Sequence, residues 1–184
     1  MARPKGGGAE VGKRLLAAAG RGFRSGGFGG IGVDALAGEA GLTSGAFYAH
    51  FGSKAAAFRE AVRDGLGFTL TSIQQFQKNY GKEWQIHFAR FYLGERMEAD
   101  LPDACIFQTL TPDIARSDGE TREVYSGLLS EIIENIAIGL DGDRDRAWAF
   151  WSLLTGAGAM ARATEDRKAR AEALEAVLKA AKNI

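Results

Sequence analysis

The stretch VDALAGEAGLTSGAFYAHFGSK, Val33 to Lys54, decides how this chain reads. Val33, Leu36, Ala37 and Ala40 recur at i, i+3, i+4 and i+7, the stripe of a short amphipathic helix. Gly41 ends that helix, as glycine does one residue past a C-terminus. Thr43 opens a second short helix, because its hydroxyl can accept a free N–H of the first turn. Gly52 and Ser53 close the second helix, and a long one starts near Lys54. A short helix, a glycine-containing turn "GLT" and another short helix make a helix-turn-helix pattern.

Such a pattern matters when its second helix can enter a DNA major groove, and the residues around that helix decide the matter. Each residue advances about 100° around the axis. Phe47 and Phe51 then share one face and are the expected core anchors. The opposite face holds Gly45, Ala46 and Ala49, all small, with Tyr48 and His50 on either flank. Small residues permit close approach, while a phenol and an imidazole at the edges can reach phosphates on the two groove walls. Thr43 caps a helix N-terminus that can donate backbone N–H groups to a phosphate, and Lys54 adds a compact cation. Ser44 is the one side chain at the helix start able to bond a base or phosphate, whereas Ala46 and Ala49 can only pack on thymine methyls. The expected DNA-binding set is Thr43, Ser44, Gly45, Ala46, Tyr48, Ala49, His50 and Lys54.

The rest of the chain agrees with a nucleic-acid partner at one end. Net charge is zero over 184 residues, but residues 1–54 hold seven Lys/Arg against three acids, and the remainder holds 16 against 20. A basic third on an acidic body suits a polyanion at that end. Hydrophobic residues make up 46% and charged ones 25%, an ordinary globular balance. No apolar run approaches the roughly 18–20 residues of a membrane span. MARPKGGGAEVGKR lacks a signal-type apolar core, so a cytoplasmic protein is expected. Cys105 is the single cysteine, which excludes an internal disulfide and reads as a small buried hydrophobe. No nucleophile–base pair or metal-ligand cluster is evident, and GGFGGIG at 26–32 follows no strand, so no catalytic residue, metal or cofactor is expected.

Only three prolines occur, and nearly every segment carries helical spacing. The expected fold is all-α: a three-helix helix-turn-helix domain followed by a helical bundle, to which the family resemblance given below assigns ligand binding and dimerisation. Residues 1–8 read as a flexible basic arm, 9–60 as the helix-turn-helix domain and 61–184 as the bundle. A first helix is predicted at about 9–25, ended by SGGFGG, and later ones at about 54–79, 83–99, 104–116, 119–140, 144–162 and 165–182.

At Ala37, Ala40, Gly41, Leu42, Thr43, Gly45, Phe47, Tyr48, His50, Phe51, Ser53 and Lys54 the chain closely resembles the N-terminal domain of the TetR family of bacterial regulators. The resemblance covers roughly residues 9–60. It implies a homodimer on a roughly palindromic double-stranded operator, most often a repressor released by a small molecule. It also implies phosphate contacts at Thr43, Tyr48, His50 and Lys54, with Ser44, Gly45, Ala46 and Ala49 facing bases or nearby backbone. One position departs from the pattern: the second helix often begins with Ser or Thr, and here the residue is Gly32, which offers no hydroxyl.

The bundle carries no motif, but it is rich in aromatics that could line a cavity for a small, largely apolar ligand. Phe88, Phe91 and Tyr92 on one helix, Phe107 and Tyr125 on neighbours, and Gln108 as a polar group are the candidates, with His87 as a further source of polarity. The last two helices resemble the pair that forms the family's four-helix dimer interface. Gly156 and Gly158 allow close helix approach there, and Trp151, Thr155, Gly158, Leu174, Val177 and Leu178 are the expected interface residues. The alternative reading is an all-helical enzyme or small-molecule carrier that retains a degenerate helix-turn-helix.

Overall fold

The computed structural model describes residues 7–184, and among them every regular element is helical. Helix α1 spans Gly7–Gly30, α2 Val33–Glu39, α3 Ser44–Phe51 and α4 Lys54–Tyr80. Arg3 and Lys5 of the expected basic arm lie outside the described residues, whereas Gly7 and Gly8 are the first turn of α1 rather than part of an arm. The glycine-rich stretch ends the regular part of α1 as expected, just past Ser25. It kinks the helix at Gly27, whose φ of 68° lies in the left-handed region, and a last turn runs on to Gly30. Phe28, carried by that turn, closes a ring cluster with Phe23 and Phe58 (centroids 5.1 Å apart for Phe23–Phe58 and for Phe28–Phe58).

The turn between α2 and α3 is built as its residues require. Gly41 takes φ 65°, and its N–H and that of Leu42 return to the carbonyls of Gly38 and Ala37, both at 2.9 Å. The guanidinium of Arg14, from α1, donates to the Ala40 carbonyl and so ties α1 to the end of α2. Leu15, Ala19, Phe23, Leu36, Ala37, Phe47, Phe58 and Val62 form the fully buried core of this end.

Helix α4 continues without a break past residue 60, so the expected boundary at 60/61 falls inside one helix that belongs to both parts. The remaining elements are α5 Trp84–Leu93, α6 Glu95–Glu98, α7 Ile106–Thr109, α8 Thr111–Ala115, α9 Gly119–Ile138, α10 Arg144–Ala163 and α11 Arg167–Ala181. Two expected long helices are in fact pairs. Gly94 interrupts 83–99 at φ −106°, ψ −100°, and Pro112, lacking an N–H, begins α8 instead of continuing α7. A short turn of 3-10 helix at Leu101–Asp103 connects the halves. The long helices α4 and α9 pack along each other, and α10 carries Phe150, Trp151 and Leu154 into a core with Trp84, Phe88, Ile132 and Ile136. The Trp84 indole N–H is satisfied by the Gly139 carbonyl at 2.9 Å.

Candidate DNA-binding face and ligand cavity

Helix α3 is held by its phenylalanines. Phe47 is fully buried, and Phe51 leans on it with centroids 4.9 Å apart while remaining half-buried. Both expected anchors therefore pack on the core, Phe47 fully and Phe51 in part. Thr43 is the N-cap, its hydroxyl accepting the Ala46 N–H at 3.3 Å. The opposite side of the helix is open. Gly45, Tyr48, Ala49 and His50 are exposed, Tyr48 at 50%, and Ser44 and Ala46 are half-buried. Lys54 starts α4 with its ammonium 4.9 Å from the centre of the Phe28 ring, which holds the cation over the helix-turn-helix core.

His50 is placed by two contacts that the sequence does not announce. Its ring stands edge-on to Phe51, centroids 4.6 Å apart. Its other side faces Gly12 of α1, where an added Cβ would lie 2.7 Å from His50 Cε1. Gly12 is thus small because an imidazole occupies the space. Gly32, the N-cap of α2, makes no side-chain cap, and Asp34 in the next turn is exposed.

A cavity of about 620 Å³ lies where the two halves meet. Helix α1 contributes Arg24, α4 contributes Asp64 to Ser72, α5 contributes Phe88, Phe91 and Tyr92, and Arg96, Asp103, Cys105 and Ile106 complete the wall. Of the six expected ligand residues, Phe88, Phe91 and Tyr92 line it. Phe107, Gln108 and Tyr125 do not. Phe107 is buried between Tyr125 and Trp151, with centroid separations of 5.8 and 5.0 Å. Gln108 accepts from Arg162 Nε at 2.7 Å and fills the gap beside Gly158. His87 stacks on Tyr80, centroids 4.0 Å apart, on another face. The Tyr92 hydroxyl donates to Cys105 Sγ at 3.2 Å, and burial pushes both groups above their ordinary pKa values. Cys105 is the small buried group expected, and it forms part of the cavity wall. No group of three or more His, Cys, Asp or Glu able to hold a metal occurs among the described residues.

The arginines were missed because nothing local marks them. Arg24 donates from Nε to the Pro102 carbonyl at 2.6 Å, across 78 residues of sequence. Burial holds its pKa below the ordinary arginine value, and the nearby Arg96 adds to that, against the partial offset of Asp103 and Asp64. Arg21, one turn earlier, pairs with Asp103 and with Glu39 of α2. Arg21 and Arg24, both half-buried, stand three residues apart on one face of α1, and of the two only Arg24 lines the cavity.

Two of the expected dimer residues, Trp151 and Gly158, are engaged within the chain. Trp151 is only 2% exposed and packs against Phe88, Tyr92 and Phe107 of its own chain. Gly158 is buried beneath Gln108, so its small size serves intramolecular packing. Thr155 returns its hydroxyl to the Trp151 carbonyl at 2.8 Å, and Leu174, Val177 and Leu178 lie half-buried against the chain's own core. The outward face of α10 instead carries Trp148, Ser152, Gly156 and Met160, with Trp148 42% and Met160 65% exposed. On α11, Ala169, Ala173, Ala176 and Ala180 are exposed along one stripe. Among the described residues no helix is long and apolar enough to cross a membrane.

Residues 15–61 match the family described as bacterial regulatory proteins, tetR family. The whole fold is similar to that of Escherichia coli NemR in its reduced form (TM-score 0.81, 18% identity, covering 95% of this chain and 96% of that one). A TetR-family transcriptional regulator from Agrobacterium tumefaciens gives a TM-score of 0.80 at 17% identity, covering 94% and 97%. Bacillus subtilis FadR, a transcriptional regulator in complex with stearoyl-CoA, gives 0.71 at 14% identity, covering 92% and 96%. No curated protein matches the chain in sequence.

Proposed function

We propose that this TetR-family transcriptional regulator is a repressor that binds a palindromic operator as a homodimer and is released when a small molecule enters the cavity beneath its DNA-binding domain. The observation that carries the reading is the outer side of α3: exposed Gly45 and Ala49, with Tyr48 and His50 at the two edges and Phe47 turned inward. That side is shaped for groove entry. Tyr48, His50, Thr43 and Lys54 are assigned to phosphates, and Ser44, Gly45, Ala46 and Ala49 to the base edges.

A two-fold operator presents half-sites about 34–36 Å apart, or a multiple, so two copies must hold their α3 helices at that spacing. The exposed faces of α10 and α11, with Trp148, Met160 and the alanine stripe, are assigned to this contact. The cavity supports a ligand switch because its wall includes both α1 and α4, the two helices that carry the helix-turn-helix. FadR from Bacillus subtilis, with stearoyl-CoA bound, supports a small-molecule ligand in this fold. A ligand shifts the protein between states only by binding them unequally, and a cavity shared by those helices provides that inequality.

Binding to duplex DNA across a salt series tests the reading. Log affinity should fall steeply with log salt, each neutralised phosphate contributing about −0.9 to the slope. Lys54→Ala should make the slope shallower by about one phosphate per half-site. Tyr48→Phe should weaken specific and non-specific duplexes alike, by about 10–100-fold per phosphate bond lost. Unchanged affinity and slope in both variants would remove α3 as the DNA surface.

A further inference from the structure

The cavity is not an apolar hole. Phe68, Phe88, Phe91 and Ile106 supply one side of it, and Arg24 and Arg96 supply cations on the same wall. Phe68 is 58% exposed at this site, and the Arg96 guanidinium stands 5.4 Å from its ring centre. Among the described residues Arg96 has no carboxylate partner within ion-pair distance, and Arg24 is bonded only through Nε, to the Pro102 carbonyl. Two carboxylates share the wall. Asp103 is taken by Arg21, and Asp64 is exposed.

Two further guanidiniums bond the backbone of the same segment, which itself carries Glu98 and Asp100. Arg162 donates to the carbonyls of Ala99 and Arg96 at 2.9 and 3.1 Å, and Arg170 donates to that of Met97 at 3.2 Å. Four guanidiniums therefore gather on residues 96–102, each bonded to neutral carbonyls or standing free rather than paired with an acid. Arg162, like Arg24, is held below the ordinary arginine value, first by burial and then by its arginine neighbours. These arginines are half-buried, and a cation that has lost part of its hydration without gaining an anion is a ready partner for an incoming one.

We propose that the cavity takes an amphipathic organic anion: an aromatic or acyl body against Phe68, Phe88, Phe91 and Ile106, with its carboxylate, sulfonate or phosphate held by Arg96 and Arg24. This rests on the reading of the cavity as the effector site, and it replaces the largely apolar ligand expected from the sequence. A charge-assisted, two-armed contact is the strong form of anion recognition by arginine.

The test uses the full-length protein without DNA and two fluorescent dyes with the same rings, 8-anilino-1-naphthalenesulfonate and the neutral N-phenyl-1-naphthylamine. The sulfonate should bind once per chain, about tenfold or more tighter than the neutral dye. Arg96→Gln should lose about that factor for the sulfonate and change the neutral dye by no more than about twofold, while Arg96→Lys should recover part of the loss. Arg24→Gln should act in the same direction, and Arg96, which donates no bond that holds the fold, keeps the test readable if that second variant unfolds. Equal affinities for the two dyes, or a sulfonate affinity untouched by Arg96→Gln, would overturn the proposal. Duplex binding is then measured with the sulfonate bound. A sulfonate that binds through Arg96 yet leaves DNA affinity unchanged supports the ligand class and refutes the effector reading, so the two fail separately.

Discussion

Gly12→Ala separates the placement of His50 from the stability of the domain. A Cβ at position 12 would sit 2.7 Å from His50 Cε1 and 3.2 Å from Nε2. Non-bonded carbons settle at about 3.5–4.0 Å, so the ring must withdraw by about 1 Å. The imidazole is exposed, and it can move without disturbing the core. Alanine in a helix interior is favoured over glycine by about 1 kcal/mol, so the melting temperature should hold or rise. DNA binding should move the other way. A hydrogen bond to a charged group contributes about 1.5–3 kcal/mol, and a donor displaced by about 1 Å loses most of it. The expected loss is about 10–100-fold per half-site. Anisotropy with a labelled duplex at fixed salt measures it, alongside thermal melts of wild type, Gly12→Ala, His50→Ala and the double variant. In the His50→Ala background Gly12→Ala should have no further effect on affinity. If Gly12→Ala binds as wild type while His50→Ala is weak, or if its effect persists without the imidazole, the reasoning is refuted.

Three further outcomes follow from the geometry. Ala49→Leu should weaken binding to every duplex while leaving the melting temperature in place, since the added methylenes stand on the exposed contact side and not in the core; a variant that bound normally would mean the helix does not sit that deep. Trp148→Glu and Met160→Glu should yield folded monomers in sedimentation, whereas Trp151→Ala should cost about 3–5 kcal/mol of stability as a core truncation; dimers unaffected by the first pair would move the interface elsewhere. The buried Tyr92 hydroxyl and Cys105 thiol are both pushed up in the folded state, so their contribution is complete below the ordinary thiol value of about 8.5 and drains away as pH rises through the shifted values. Melting temperature should fall between about pH 8 and 11, less steeply in Tyr92→Phe, and a flat profile would count against the burial of this pair.

The helix-turn-helix was readable because its information is local. Gly41, Thr43 and Gly52 are turn and cap residues that act on their immediate neighbours, and Phe47 declares its face by helical spacing alone. Glycines and prolines with tertiary contacts were legible only in part. SGGFGG reads as a stop, and the regular helix does end there at Gly27, but a further turn then carries Phe28 to the core. The stretches at 83–99 and 104–116 carry helical spacing, but Gly94 and Pro112 divide them.

What the sequence could not display was which helical face meets which partner. Gly156 and Gly158 are equivalent as letters. In the fold Gly156 faces out, while Gly158 is covered by a glutamine fifty positions away in the chain, so only one of them can admit a second copy. Trp148 and Trp151 are three residues apart and neighbours around α10, yet one is exposed and the other lies in the core. The cavity is the extreme case. Its aromatic wall was half legible, because Phe88, Phe91 and Tyr92 share one helix. Its charge was not, because Arg24 comes from the DNA-binding end and Arg96 from beyond Gly94, and only long-range folding sets them on one wall. That separation is also why the charge matters. A group that binds both arginines touches α1 and the 96–102 segment at once, and α1 is the helix on which the rest of the DNA-binding domain is packed.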